Sequence, residues 1–201
     1  MSLMQLPNHA TGSDARDLLA DIETPRLLLR CLLPEAIRAG LAGDLKAVET
    51  RLGASVPLDL LREPAVLQHA AARLTEDADY LPWSARAIVL RASMGMVDHV
   101  RFHSRPDPEY LHPYVRNAVE FGYVVYPAHR RRGYALEALT GAMRWARDTH
   151  HVRRFVASIS PSNGPSLALM AKLGFHRIAE HVDQEDGIEH IYLGGEVTSG
   201  Q

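Results

Sequence analysis

Apolar and polar residues alternate most sharply over Ala118–Tyr126. Val119, Phe121, Tyr123 and Val125 fall on one side of an extended chain, and Glu120, Gly122, Val124 and Tyr126 on the other. That period of two predicts a strand. Pro127 closes it, and a basic turn, AHRRRGY, runs into ALEALTGAMRWARDTH. There Leu136, Leu139, Met143 and Ala146, with Ala142 beside them, recur at helical spacing. Short apolar runs between turn residues predict further strands at Ile22–Leu32, Ala85–Ala92, Met96–Phe102 and Arg153–Ser160. A last pair, His176–Val182 and Glu189–Gly194, flanks the turn QEDG. Leu58, Leu61, Leu67, Ala70 and Leu74 recur at helical intervals, broken near Pro64, which predicts two or three helices between Pro34 and Tyr80. Another helix follows Pro165, a residue suited to a first helical position, and stops at Gly174. This order of elements predicts an α+β fold with a mixed sheet.

Composition narrows the class. With 201 residues, 46% of them hydrophobic, the chain suits one domain with a real core. We place that domain at residues 21–197, behind a loosely ordered tail at residues 1–20. A formal net charge of -2 argues against a general polyanion binder, so no nucleic-acid partner is expected. The lone cysteine, Cys31, excludes an intramolecular disulfide and a cysteine-rich zinc site and reads as a small core residue. No apolar run approaches the ~20 residues of a membrane span. The N-terminus lacks a signal-peptide layout, and the expected compartment is the cytoplasm.

The chemistry concentrates in Tyr123–Leu139, where a strand runs through a turn with one glycine into a helix. A helix start offers unpaired N–H groups and partial positive charge, a site for phosphate or pyrophosphate. Gly133 lets the backbone approach such a ligand, Ala135 keeps the first turn uncrowded, and Arg130, Arg131 and Arg132 add positive charge.

Here the sequence resembles the GNAT acetyltransferases, whose acetyl-CoA motif, R/Q-x-x-G-x-G/A after a strand, reads Arg130-Arg131-Arg132-Gly133-Tyr134-Ala135. A second segment, SNGPSLALMAKLGF, resembles the family's N-x-x-S…K-x-G-F, with Asn163, Ser166, Lys172, Gly174 and Phe175 in place. TPRLLLR and GYALEAL resemble the branch that includes ribosomal-protein N-terminal acetyltransferases. The resemblance spans Ile22 to Gly194. It implies the GNAT fold, a mostly antiparallel sheet flanked by helices, and transfer of an acetyl group from acetyl-CoA to a primary amine on a small molecule or a peptide N-terminus. It also implies that backbone amides from Arg131 to Ala135 hold the pyrophosphate and that the main chain of Val124, Val125 and Tyr126 pairs with the pantetheine arm. Asn163 and Ser166 belong to the same coenzyme site. Members often form homodimers.

The transfer needs a proton acceptor for the amine and a donor for an oxyanion. A splayed strand before the turn offers the N–H of Val125 or a neighbour as that donor. Glu120, in an E-x-G-Y setting shared with the resembling branch, is the expected base, and His103 the runner-up. His99 and His103 share a strand face, but two histidines without a further ligand make no metal site. Many family members carry a Tyr in the second helix that protonates the departing thiolate. This chain has Met170 there, leaving Ser166, a water or Tyr134 to serve, or an unprotonated departure. A non-catalytic acyl-CoA-binding protein is the competing reading. The identity of the acceptor amine is not written in the sequence.

Overall fold

The computed structural model describes residues 18–183 and 187–195. An eight-stranded sheet runs in the order β1-β2-β3-β4-β5-β6-β8-β7. The strands are β1 (Ile22–Glu23), β2 (Leu27–Cys31), β3 (Arg86–Leu90), β4 (Gly95–Phe102), β5 (Ala118–Val125), β6 (Arg154–Ile159), β7 (His176–Asp183) and β8 (Gly187–Gly194). Every neighbouring pair is antiparallel except β5 and β6. A parallel neighbour needs a crossover, and a long helix supplies it. The mixed, mostly antiparallel sheet flanked by helices is the architecture expected from the sequence.

The sheet is covered on both faces. On one lie α1 (Pro34–Leu41), α2 (Leu45–Leu52), α3 (Asp59–Arg62) and α4 (Ala65–Glu76). They bury Ile37, Val48, Leu60 and Leu67 against Ala87, Val89 and Met96. On the other lie α5 (Tyr134–His150) and α6 (Gly164–Lys172), with Leu139, Ala142, Met143 and Met170 packed on Leu27, Leu29, Ile88, Val119 and Phe155. Successive residues of β3 thus enter opposite cores, which is why RAIVL is apolar on both sides.

Several local expectations change. The expected strand Ile22–Leu32 is two strands, broken at Thr24-Pro25-Arg26. Thr24 N–H donates to the Leu27 carbonyl at 3.0 Å, closing a tight turn around Pro25. The Pro34–Tyr80 stretch holds four α-helices and a 3-10 turn at Ala78–Trp83, because Gly43, Gly53 and Pro64 interrupt it more often than its leucine spacing suggests. Leu58 is exposed, and Leu60 and Val66 carry the packing. Leu136 leaves the expected stripe of α5 and lines a groove. Of the predicted tail, residues 1–17 lie outside the described residues. Leu18 and Ala20 are tied down: Arg86, only 2% exposed, donates to both carbonyls at 2.8 and 2.9 Å and lies over Trp145. Cys31 is buried, as expected. Among the described residues no helix is long and apolar enough to cross a membrane.

Candidate active site

The site begins where β5 and β6 part. They pair only at Ala118↔Arg154, Val119↔Phe155 and Glu120↔Val156, whereas β5 stays paired with β4 out to Val125↔Asp98. His103 N–H donates to the Glu120 carbonyl at 2.9 Å, and Tyr126 N–H to the Val97 carbonyl at 3.3 Å. Main-chain groups alternate sides along a strand, so Gly122 and Val124 also bond toward β4. The N–H and C=O groups of Tyr123 and Val125 then point into the wedge that β6 has left. The splay expected before the basic turn is present.

The wedge leads to the start of α5. Gly133 stands at its N-cap position with φ 78°, Arg131 two residues earlier has φ 61°, and no side chain caps the helix. Residues of left-handed conformation next to an uncapped first turn gather N–H groups into an anion-binding concavity. A groove of about 860 Å³ opens there, lined by Val124, Val125, Arg130, Arg131, Gly133, Tyr134, Ala135, Asn163 and Ser166. The two motifs, a strand and a helix apart in sequence, form one surface. Asn163 builds it locally: its Oδ1 accepts from Ser166 N–H at 3.2 Å and caps α6.

Some expected residues take other places. Tyr126 lines a different cavity, and the main chain of Val124 and Tyr126, expected along the pantetheine arm, bonds toward β4 instead. Arg132 contributes its carbonyl, which accepts from Arg26 Nη1 at 3.0 Å. Arg130 folds back, its Nε donating to the Val125 carbonyl at 2.8 Å. Sequence reasoning missed Arg26 as part of the site. Its guanidinium pairs with Glu137 at 2.6 Å and lies 4.9 Å from the Tyr134 ring centroid, bracing the turn. Glu137 also accepts from Thr24 Oγ1 and Arg26 N–H, both at 2.7 Å. Burial works to raise this carboxyl, but those bonds and the Arg26 charge outweigh it and hold it below its ordinary value. The TPR of the TPRLLLR motif was the available signal.

A second cavity of about 240 Å³ lies on the α4 side, lined by Glu63, Val66, Asp98, His99, Arg101, Gly122 and Tyr126, and it shares Tyr123 and Val124 with the groove. Tyr123 therefore stands between the two. Its hydroxyl donates to Ser166 Oγ at 3.0 Å, which leaves the serine's own proton free to point elsewhere. Burial raises the Tyr123 phenol, with the Ser166 bond acting against it. Met170 is 0% exposed and belongs to the core, so its position does not face the groove. Asp98 is wholly buried, with its carboxylate 2.7 Å from His99 Nδ1 in a contact that lacks hydrogen-bond alignment. Burial pushes that carboxyl up, against the pull of His99.

Glu120 is 5% exposed, not a surface carboxylate. Ser158 Oγ donates to its Oε1 at 2.6 Å, and His103 Nδ1 lies 3.4 Å from its Oε2. Burial tends to raise the carboxyl, but bonding and charge from His103, then bonds from Ser158 and Tyr110, outweigh it and hold it below its usual value. His69 packs its ring 6.1 Å from that of His103. Its imidazole is pushed down to about 4 by burial and then by Arg101, His103 and Arg73. Among the described residues no group of three or more His, Cys, Asp or Glu side chains is placed to hold a metal ion.

Residues 26–176 match the family described as the acetyltransferase (GNAT) domain. Of curated relatives, an N-acetyltransferase 9-like protein of Nematostella vectensis is 46% identical over 54 residues, covering 27% of each chain. The [ribosomal protein uS5]-alanine N-acetyltransferase of Escherichia coli is 36% identical over 61 residues, 30% of this chain and 31% of that one. The matched stretch thus spans under a third of these relatives. Among solved structures, the ribosomal-protein-S5-alanine acetyltransferase of Vibrio fischeri superposes with a TM-score of 0.60 at 14% identity, over 90% of this chain and 100% of that one. An acetyltransferase of Agrobacterium tumefaciens gives 0.56 at 22% identity, over 96% and 99%. At these identities the structures speak for the fold.

Proposed function

Because this chain belongs to the GNAT acetyltransferase family, we propose that it moves the acetyl group of acetyl-CoA directly to a primary amine. The observation that carries this reading is the pair of cavities that share Tyr123 and Val124 as lining, on the stretch of β5 that β6 leaves unpaired. The coenzyme enters by the larger groove, with its pyrophosphate at the uncapped start of α5 and its pantetheine arm along the strand edge that β6 leaves open beside Tyr123. The amine enters from the α4 side. Its lone pair attacks the thioester carbon, and the Val125 N–H, pointing into the wedge, is placed for the developing oxyanion. As the C–S bond breaks, Ser166 gives its proton to the thiolate, with the Tyr123 hydroxyl behind it. No covalent enzyme intermediate is required, and Cys31 is buried with its thiol pushed up by that burial.

We further propose an α-amine as acceptor. The E. coli relative is named an alanine N-acetyltransferase of ribosomal protein uS5, and an α-amine, with pKa about 7.7–8.0 against about 10.4 for lysine, is easier to present neutral. The test is thiol release from acetyl-CoA with a panel of amines, free peptides and N-blocked lysine peptides. Faster turnover of free peptides supports the reading. Coenzyme binding without turnover of any amine would favour a non-catalytic acyl-CoA-binding protein.

A further inference from the structure

The carboxylate expected to act as base is poorly placed to receive a proton. Neither Glu120 nor His103 is among the residues lining the two cavities, but Glu120 Oε1 is already taken by the Ser158 hydroxyl at 2.6 Å. His103 stands differently. It lies just past the end of β4, on the same sheet face as Glu120, Gly122 and Val124. Its Nδ1 is turned to Glu120, while its Nε2 lies directly over Gly122: a Cβ built on that glycine would sit 2.7 Å from Nε2. Gly122 lines the acceptor-side cavity next to Tyr123 and Val124. Only a residue without a side chain leaves the imidazole this position.

We propose, on the acetyltransferase reading above, that His103 Nε2 takes the proton from the acceptor amine and that Glu120 is a positioning residue holding the imidazole through Nδ1. Glu120, fixed by Ser158, stands 3.4 Å from Nδ1 and favours a proton there, which leaves the lone pair on Nε2. When the amine nitrogen bonds to the acetyl carbon, its N–H proton passes to Nε2, and the imidazolium is stabilised by the adjacent carboxylate until it loses that proton to solvent. Around His103 stand Glu120 from β5, His69 from α4 and Arg101 from β4, whose Nε shares with His103 Nε2 the space over Gly122. With His69 held neutral, Glu120 is the one anionic partner among these at neutral pH.

The experiment compares wild type, His103→Gln and Glu120→Gln in thiol release over a pH series, with CoA affinity by calorimetry as the control for folding. His103→Gln should lower kcat about 10²-fold or more, leave CoA affinity unchanged and abolish the acid limb of the profile. Exogenous imidazole should restore part of the rate to His103→Ala. Glu120→Gln should lower kcat less and retain the acid limb, because Nε2 remains to take the proton. A full rate in His103→Gln, or an acid limb lost only in Glu120→Gln, overturns the assignment while the transferase reading stands. A wild type inactive on every amine overturns both.

Discussion

Replacing Gly133 by Glu separates the coenzyme site from the fold. A non-glycine residue at φ 78° costs about 1–2 kcal/mol. The space itself is tolerant: the nearest atom a Cβ would meet is Arg26 Nη2 at 3.4 Å, the far end of a flexible side chain. A carboxylate at a helix start gains about 0.3–1 kcal/mol from the helix dipole. The net loss of stability is therefore about 1 kcal/mol, a melting shift of about 2–4 °C for a chain of this size. Binding suffers more. Two unit charges about 5 Å apart at an effective dielectric of about 20 repel by about 3 kcal/mol. Allowing for salt and solvent, about 2 kcal/mol survives, which raises the Kd for CoA about 30-fold. Gly133→Ala carries the same backbone cost without the charge and is the control. Calorimetry on both folded variants gives the test. If the Glu variant binds CoA as tightly as the Ala variant, no pyrophosphate lies at the start of α5.

Ser166→Ala should lower kcat about 10²-fold, and Tyr123→Phe should lower it by less; equal rates in wild type and Ser166→Ala, measured by thiol release, would remove this pair from the mechanism. Arg26→Ala frees the turn before α5 and should raise KM for acetyl-CoA more than it lowers kcat, since Arg26 touches the loop and not the wedge. Glu137→Gln should cost about 1–3 kcal/mol near pH 7, read as a lower melting temperature. Its carboxyl is held below the ordinary value of about 4.3 in the folded state. That contribution is complete above the ordinary value and lost as pH falls through the folded one, so the gap between wild type and variant should close in acid.

Local periodicity carried much of this structure. The alternation of Val119–Tyr126 placed Glu120 and Tyr123 on opposite sides of β5, and the strand–turn–helix around Gly133 predicted an uncapped helix start. The two motifs were legible separately, and their union in one groove follows from β6 and α6 returning beside α5. What sequence could not supply were contacts between distant segments. Arg26 reaches Arg132 across 106 residues, and nothing in TPRLLLR says where that arginine ends. The same holds for Glu120, whose burial depends on His103, Ser158 and Tyr110 converging from other elements. Tyr123 was missed because its alternation matched the core, while the parting of β6 exposes its hydroxyl end to Ser166. Thr24-Pro25-Arg26 broke a strand that apolar content alone made continuous.

The gap between β5 and β6 also bears on how long the protein survives. Three residue pairs join the two halves of the sheet, and beyond them, the Val125 carbonyl held by Arg130 aside, the edge of β5 faces the groove. If the coenzyme's amides bond to that edge, the last strand of this sheet is not encoded in the chain but drawn from the metabolite pool. Stability then depends on supply: a ligand present at a hundred times its Kd adds about 2.7 kcal/mol to the folded state. In a starved cell, the same protein would hold its fold with a smaller margin and meet proteases more often as an opened chain.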